Sequence, residues 1–426
     1  MIKKQSLLCC FMFVAFLFGS EPGNSQVENW THFRGSNLNG IAETNTAPLK
    51  WSDSDMKWKT IIHDKGLSSP VVYQNQIWIT TAKDDGKELF AVCIDFLTGK
   101  IIYDISVFTP DSVFKKHAIN SYATPTPCIE KDFVYVHYGS LGTACIRTTN
   151  GSIVWKRTDF KCDYMMGPAS CPVIYKNLII LHFEGTDATY LVALDKSNGK
   201  LVWRTDRPKE IYDPRPDIGK KAYTTPIIVS VKGRDLLISN GSFAGIAYDP
   251  ATGQEIWRVV RGAESTVAMP FTEKGVLYWF TGFMVADNGS KFCEILAVNP
   301  DGKGDITESN ILWRKKAEQL QLLTPVIKDG LIYTVDAKNN MMCINASTGE
   351  EIWSTHLRTN YNASPIYVNG NIWFFSVKGE ILVIKAGQKY EVVAQNQIDS
   401  EIWATPAFLR NSIIIRTDKY LCRIGQ

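Results

Sequence analysis

Short runs of alternating apolar and polar residues recur along the chain, separated by tight turns that contain glycine. One recurrent pattern has a small residue, an apolar residue, Asp or Asn, a Gly turn and then an aromatic residue. It reads CIDFLTGKIIY at 93–103, CIRTTNGSIVW at 145–155, ALDKSNGKLVW at 193–203, AYDPATGQEIW at 247–257 and CINASTGEEIW at 343–353. A period of two residues predicts strands, and the intervening Gly turn predicts a hairpin.

A second pattern, a pair rich in Ser, Thr and Ala followed by Pro and an apolar run, precedes the copies of the first. Its eight prolines, called key prolines below, are Pro70, Pro127, Pro172, Pro226, Pro270, Pro325, Pro365 and Pro406. Proline at the first position of a strand costs little, because its missing N–H need not join the ladder. Each unit of roughly 40–55 residues therefore contains four short strands, which is typical of a β-propeller blade.

The sequence thus predicts an all-β, eight-bladed β-propeller of four-stranded antiparallel blades. The last unit ends at Gln426 without a fourth strand, whereas MKWKTII at 56–62 matches a fourth strand and lies before the first key proline. We expect this N-terminal strand to complete the last blade, because closing the ring removes exposed sheet edges. The propeller then occupies 56–426, after an N-terminal segment over 26–55.

Residues 1–25 have the order of features of a secretory signal peptide. Lys3 and Lys4 precede an apolar run over 7–18, and small residues before Gln26 fit a cleavage site. The run is too short to span a bilayer comfortably, although an uncleaved anchor is the alternative. Its cysteines precede most of the run, which argues against a lipoprotein. We therefore expect a periplasmic or extracellular protein without a transmembrane segment.

Composition and charge exclude several classes of protein. Charged residues make up 21% of the chain and the formal net charge is +3, which favours neither a nucleic-acid-binding surface nor a disordered chain. No zinc-type Cys/His spacing and no nucleophile or nucleotide-binding motif occurs.

Much of the Trp and Cys belongs to the repeat itself. We expect the Trp of the repeat to wedge between neighbouring blades, at positions 58, 155, 203, 257, 313 and 353. We expect buried free thiols at the small-residue position of the repeat, namely Cys93, Cys145, Cys343 and Cys422. A disulfide between Cys162 and Cys171 stays open.

The candidate site lies on the longest connections between blades, which precede blades 2, 3 and 4. Loops longer than the geometry requires carry function more often than minimal loops. We expect their polar side chains, with those at the end of the second strand of blade 3, to form one mixed-charge pocket for a small anionic or polar ligand. The candidate ligand-binding residues are His117, Asn120, Tyr122, His182, Glu184, Asp187, Arg215, Lys221 and Tyr223. The alternative is a set of solvated loops, with His182 in a structural role.

The repeats over residues 58–426 resemble those of the pyrroloquinoline quinone (PQQ)-like β-propeller family. NWTHFRGSNLNG at 29–40 is also similar to the Trp-x-x-Phe-Arg-Gly segment of exported bacterial members. One branch, the quinoprotein alcohol dehydrogenases, implies alcohol oxidation with PQQ, Ca²⁺, a catalytic Asp and a ring of adjacent cysteines. Another branch, outer-membrane assembly propellers of the BamB type, is similar in length and blade number and implies a non-catalytic scaffold.

The only adjacent cysteines are Cys9 and Cys10, and no segment matches the Ca²⁺ ligands of the dehydrogenases. We therefore predict an exported, monomeric, non-enzymatic propeller that binds a protein partner of the cell envelope or a small polar ligand on its long-loop face. We expect no catalytic residue, metal or cofactor. The alternative is a PQQ- or metal-dependent oxidoreductase acting on alcohols or sugars. A polysaccharide ligand would be favoured if Trp279 or Trp403 lined the channel.

Overall fold

The computed structural model describes residues 28–285, 289, 291–318, 320 and 322–425. Across these residues, eight antiparallel sheets follow one another and each has the four strands of the predicted unit. The prediction of an all-β, eight-bladed propeller is therefore confirmed. The predicted signal peptide, residues 1–25, lies outside the described residues, and its role in export stays a prediction.

The strands of a blade are called A to D from the axis outwards, and strand A follows the key proline. Blade 1 contains Val71–Tyr73, Gln76–Ala82, Leu89–Asp95 and Ile101–Phe108. Blade 2 contains Cys128–Ile129, Phe133–His137, Thr143–Arg147 and Ile153–Arg157. Blade 3 contains Val173–Tyr175, Leu178–Glu184, Thr189–Asp195 and Leu201–Asp206. Blade 4 contains Ile227–Val231, Arg234–Asn240, Ala244–Tyr248 and Glu255–Val260.

The other four blades repeat this order. Blade 5 contains Phe271–Glu273, Val276–Phe280, Lys291–Val298 and Ile311–Ala317. Blade 6 contains Val326–Lys328, Leu331–Val335, Asn340–Asn345 and Glu351–His356. Blade 7 contains Ile366–Val368, Asn371–Phe375, Glu380–Lys385 and Val392–Gln397. Blade 8 contains Ala407–Leu409, Ser412–Arg416, Tyr420–Gly425 and, as strand D, Met56–Ile61.

Strand D of blade 8 confirms the predicted ring closure. Met56–Ile61 pairs antiparallel with Tyr420–Gly425, and Trp58 lies opposite Arg423. The two ends of the propeller are thereby joined by backbone hydrogen bonds, so that the ring has no open blade edge at its seam.

Burial follows the position of each strand in its blade. Strand B of blade 3, Leu178–Glu184, is buried at all seven positions, because both faces of an inner strand pack against neighbouring blades. Strand D of the same blade, Leu201–Asp206, buries Trp203 and exposes its first two residues. The outer strand thus keeps the alternation that the sequence shows, whereas the inner strands read as nearly continuous apolar runs.

The repeat Trp residues wedge between blades, as expected. The indole N–H of Trp155 donates to Lys196 O of the next blade at 2.9 Å, and Trp203 donates to Pro250 O at 3.1 Å. Gly199 lies against the first of these rings with φ +71°, and a Cβ there would approach the Trp155 ring to 2.7 Å. Gly199 is therefore needed both for its φ and for the space that the neighbouring ring occupies.

A few short elements lie outside the blade pattern. The helical segments are Lys209–Tyr212, an α-helix, and two 3-10 helices, Asp53–Asp55 and Asp217–Gly219. The additional strands are Ile41–Ala42, Met284–Val285 and Gly304–Asp305. Ile41–Ala42 pairs in parallel with strand A of blade 7, and Gly304–Asp305 with strand D of blade 4.

Eight cysteines fall within the described residues, and all eight are buried free thiols. Cys162 and Cys171 therefore form no disulfide in this structure. None of the helices in the described part of the chain has the length and apolar character needed to traverse a bilayer.

Candidate functional site

A cavity of about 340 Å³ lies on the propeller axis. All eight blades contribute to its wall, each through the residue directly before its key proline and through the residue two positions earlier. The residues directly before the key prolines are Ser69, Thr126, Cys171, Thr225, Met269, Thr324, Ser364 and Thr405. The residues two positions earlier are Leu67, Thr124, Ala169, Tyr223, Val267, Leu322, Asn362 and Trp403.

The residues directly before the key prolines also form a hydrogen-bonded belt around the axis. In six of the eight blades, the backbone N–H at this position donates to the side chain at the same position of the next blade. The donor and acceptor pairs, at 2.9–3.2 Å, are Ser69 to Thr126, Thr126 to Cys171, Cys171 to Thr225, Met269 to Thr324, Thr324 to Ser364 and Ser364 to Thr405. A side chain of the belt therefore serves both the joint between blades and the cavity wall.

The N-terminal segment closes one end of the cavity. Ile129 N of blade 2 donates to Thr31 O at 3.0 Å, and the Arg34 guanidinium donates to Thr324 O of blade 6 at 3.1 Å. Blades 2 and 6 are opposite each other in an eight-membered ring, so the segment between these contacts crosses the axis. Phe33 lies within it and lines the cavity. The face with the A–B and C–D turns, the turn face, is thus closed at the axis.

The cavity opens on the other face, which carries the D–A and B–C connections and is called the loop face here. Ile119, Leu322 and Trp403 line its mouth, and the first two are 43% and 48% exposed. A surface trough of about 450 Å³ adjoins the mouth and shares Leu67, Ile119 and Trp403 with it. The charged residues of this trough are Asp64, Lys65, Glu401 and Asp418.

Three of the predicted site residues reach the cavity: His117, Asn120 and Tyr223. His117 N and the Asn120 amide both donate to Met166 O, at 3.2 and 2.8 Å, so the connections before blades 2 and 3 hold each other at the mouth. The Tyr223 hydroxyl donates to Tyr164 O at 2.9 Å, and its ring forms part of the wall. A ligand-binding role for these three residues stays a prediction.

Two others, His182 and Glu184, lie in a buried polar network between blades 3 and 4 instead. His182 Nδ1 lies 3.0 Å from Thr224 O of blade 4, and its Nε2 lies 2.5 Å from Glu184. Glu184 also accepts hydrogen bonds from Arg207 at 3.1 Å and from the Tyr212 hydroxyl at 2.6 Å. Neither His182 nor Glu184 lines the cavity, and both side chains have no exposed area.

Nearby charges and hydrogen bonds explain why Glu184 is ionised although it is buried. Burial by itself raises the pKa of Glu184, but the Arg207 charge and the hydrogen bonds from His182 and Tyr212 outweigh burial and hold the pKa at about 2. Burial likewise disfavours the Arg207 cation, yet Glu184 raises the pKa of Arg207 above its ordinary value. The pair is therefore ionised inside the protein and each charge depends on the other.

The other four candidates are dispersed. Tyr122 is buried and donates to Phe114 O at 2.6 Å. The Lys221 ammonium donates to Ile218 O, and burial lowers the pKa of this lysine. Asp187 is exposed and accepts the backbone N–H of Asp163 at 2.6 Å. Arg215 is exposed above the Phe243 ring, 5.4 Å from its centroid. The structure thus brings three of the nine candidates to one cavity and places the other six in different surroundings.

Most residues of the cavity wall are not among those predicted from the sequence. The wall residues sit at two fixed offsets before each key proline, so a signal for them existed in the aligned repeats. The pattern of a single repeat indicates only that these residues begin a strand, and it does not show that they face the axis. Trp403 does line the cavity, whereas Trp279 is fully buried in the core.

Comparison with known proteins places this architecture in a family. The PQQ_2 family model, described as outer membrane protein assembly factor BamB, matches residues 187–304 and 246–401, which together span about half of the chain. The chain belongs to the PQQ-like β-propeller family. The resemblance to this family that the repeats indicate is thereby confirmed.

Individual relatives of this PQQ-like propeller are distant. Tetrathionate hydrolase of Acidithiobacillus ferrooxidans is 22% identical over 270 residues, 59% of this chain and 50% of that protein. BamB of Moranella endobia is 22% identical over 258 residues, 58% of this chain and 59% of that protein. The chain thus aligns with about half to three fifths of the length of these curated relatives.

The fold is shared with solved enzymes as well. The quinohemoprotein alcohol dehydrogenase of Comamonas testosteroni superposes with a TM-score of 0.67 at 12% identity, covering 93% of this chain and 81% of that chain. At this identity the likeness shows the fold alone.

The axial cavity of this PQQ-like propeller does not fit the cofactor of the dehydrogenases. PQQ is a carboxylated quinone, and Ca²⁺ requires several oxygen ligands, usually carboxylates. Among the described residues that line the cavity, none is Asp, Glu, Lys or Arg. Within the described residues, no group of three His, Cys, Asp or Glu side chains is placed to hold a metal ion. The wall offers neither a counter-charge for the quinone carboxylates nor a ligand set for Ca²⁺.

Proposed function

We propose that this PQQ-like propeller is an exported, non-enzymatic binding protein that takes a protein partner or a small ligand at the mouth of its axial cavity. The observation that carries the proposal is the shape of the cavity. The N-terminal segment closes it on the turn face, and it opens on the loop face beside Ile119, Leu322 and Trp403. A largely apolar cavity that is closed at one end and open at the other is the usual form of a ligand site.

The exposed apolar residues at the mouth support a binding role. Ile119, Leu322 and Trp403 come from three different blades and converge on one opening. Isolated apolar residues on a surface need no explanation, but a group around a concave opening is typical of an interaction site. The resemblance to BamB, which is named for outer-membrane assembly, favours an envelope protein as partner and a periplasmic or extracellular location.

The chemistry of the wall favours binding over catalysis. Its titratable side chains are His117, Cys171 and Tyr223. Burial raises the pKa of the Cys171 thiol and of the Tyr223 hydroxyl, so both are neutral near pH 7 and weak nucleophiles. His117 has no carboxylate of the wall beside it to act as a partner in general base catalysis.

Site-specific photo-crosslinking in intact cells tests the location of the partner. A photoreactive residue at Ile119 or Leu322 samples the loop face, and the same residue at Leu97, 57% exposed in a turn of the opposite face, is the matched control. We expect one discrete adduct from each loop-face position and none from the control. Equal adducts from Leu97 would contradict a partner at the mouth.

Activity assays test the other half of the proposal. Purified protein is incubated with PQQ and Ca²⁺, and alcohol or sugar oxidation is followed with a redox dye. We expect no turnover above the protein-free rate. Turnover that saturates with substrate and disappears on adding a chelator would overturn the non-enzymatic assignment.

A further inference from the structure

The axial cavity has the composition of a site for aromatic ligands. Four rings line it, those of Phe33, His117, Tyr223 and Trp403, and the thioethers of Met166 and Met269 lie among them. Aromatic faces prefer the faces or edges of other rings, and thioether sulfur contacts rings favourably. Its volume of about 340 Å³ lies at the lower end of the range for small-molecule pockets, roughly 300–1,000 Å³.

Charge excludes anions from this cavity. No lining residue in the described part of the chain carries a permanent charge, so an ionised ligand would lose hydration without gaining a counter-ion. The adjoining trough presents Asp64, Glu401 and Asp418 beside the mouth. Lys65 is the cation of that trough, and its ammonium is bound to Ala118 O at 2.8 Å. An approaching carboxylate therefore meets like charge at the rim and no compensation inside.

One polar atom of the wall points to a specific ligand group. Asn362 lines the cavity, and its Oδ1 is buried without a hydrogen-bond donor. A buried acceptor without a partner is costly, and it becomes satisfied when a ligand supplies an N–H or O–H. The hydroxyls of Thr126, Thr225 and Thr405 already accept backbone N–H groups of the belt. Asn362 Oδ1 is thus an acceptor at the wall that no protein donor uses and that a ligand donor can satisfy.

We propose that the axial cavity binds an uncharged, flat aromatic group that carries one N–H or O–H donor, and that this donor pairs with Asn362 Oδ1. The inference rests on the proposed binding function and names its ligand class. The same chemistry is offered by a free aromatic molecule and by a tryptophan side chain of a partner protein. Neither carboxylated quinones nor other anions meet the requirement.

Indole and three analogues test the proposal by calorimetric or NMR titration of the purified full chain. Indole has the donor, 1-methylindole lacks it, tryptophol adds a neutral hydroxyl and indole-3-acetate adds a carboxylate. We expect 1-methylindole to bind about tenfold more weakly than indole, as for the loss of one buried hydrogen bond. We expect indole-3-acetate to bind at least tenfold more weakly than tryptophol.

Two variants assign the binding to this cavity. Asn362→Leu keeps the branching and the number of heavy atoms of the side chain and removes the acceptor, so indole and 1-methylindole should then bind equally. Val267→Trp fills the cavity from blade 5 and should abolish the binding of all four compounds. A tenfold preference for indole that persists in Asn362→Leu would overturn the assignment of the donor contact.

Competition experiments distinguish a partner's side chain from a free aromatic molecule, and other results would contradict the proposed site. N-Acetyltryptophanamide that competes with indole at similar affinity identifies a partner's side chain, and failure to compete identifies a free molecule; either outcome supports the aromatic site. Methyl β-glucoside that bound as tightly as indole would overturn it. No binding of any indole at millimolar concentration would also overturn it, while crosslinks from Ile119 would leave the proposed function standing.

Discussion

Replacing Glu184 by Gln should show how much of the propeller's stability depends on one buried carboxylate. The change keeps the shape of the side chain and removes its charge. Glu184 accepts hydrogen bonds from Arg207 at 3.1 Å, Tyr212 at 2.6 Å and the Ser242 backbone at 2.9 Å. Gln can still accept from Tyr212 and Ser242, but Arg207 is left as a buried cation without a counter-charge.

The magnitude follows from the pKa of Glu184. The network lowers this pKa from an ordinary value of 4.5 to about 2. At about 1.36 kcal/mol per pKa unit, the folded state gains about 3 kcal/mol from ionisation of Glu184 near neutral pH. The cost of breaking a buried ion pair, ~3–5 kcal/mol, falls in the same range. We therefore expect Glu184→Gln to lower the free energy of unfolding by about 3 kcal/mol at pH 7.

The pH dependence has a definite sign. Because the folded-state pKa of Glu184 is depressed, its contribution is complete above the unfolded value of 4.5 and is lost as pH falls towards 2. The difference in unfolding free energy between the wild type and Glu184→Gln should therefore be constant from pH 7 to 5 and shrink below pH 4.5. Other carboxylates are common to both proteins, so they cancel in this difference.

Urea unfolding followed by tryptophan fluorescence at several pH values measures this difference. Glu391→Gln, at an exposed position of blade 7, is the control and should match the wild type throughout. The double variant Glu184→Gln with Arg207→Met should recover part of the loss, because it removes the unpaired cation. A difference that is the same at pH 7 and pH 3 would refute an ionised Glu184 in the folded state.

Three further predictions concern the ring. Trp155→Ala removes a wedge and its bond to Lys196 O, and should cost about 3–5 kcal/mol in urea unfolding; a loss below about 1 kcal/mol would contradict the wedge role. Thr126→Val leaves the Ser69 N–H without its belt acceptor, so hydrogen exchange at the Ser69 amide should speed up at least tenfold, and unchanged protection would argue against the belt. Deleting residues 56–61 removes strand D of blade 8, so limited proteolysis should cut blade 8 first; cleavage spread evenly over all blades would contradict closure at this seam.

The fold could be predicted because its determinants are local and repeated. The Gly turn, the Trp four residues later and the key proline recur at similar places in successive units, and the repetition reinforces one register. Ring closure could be predicted for the same reason, since Trp58 marks a fourth strand that has no other partner. A strand, a turn or a repeat can be predicted from the sequence because it depends on residues a few positions apart.

The site could be predicted only in part because its contacts join distant parts of the chain. His182 and Glu184 are two residues apart on one strand and therefore point to the same side. The long connection before blade 4 places Tyr212 over Glu184 and buries it. A long connection favours an open pocket, whereas this connection covers the polar end of the strand. The reach of a loop over a strand end is decided by tertiary packing, which the pattern of a single sequence does not contain.

The belt shows how the same residues serve both the fold and the cavity. A hydroxyl before the key proline can accept the N–H of the preceding blade, and Ser or Thr fills six of the eight positions: 69, 126, 225, 324, 364 and 405. Cys171 and Met269 replace it with sulfur, a weaker acceptor. Cys171 still accepts the Thr126 N–H at 3.2 Å, and both sulfurs give the cavity wall polarisable, uncharged surface next to its aromatic rings. The departures from the repeat therefore follow the chemistry of the cavity, and they favour an aromatic ligand over a charged one.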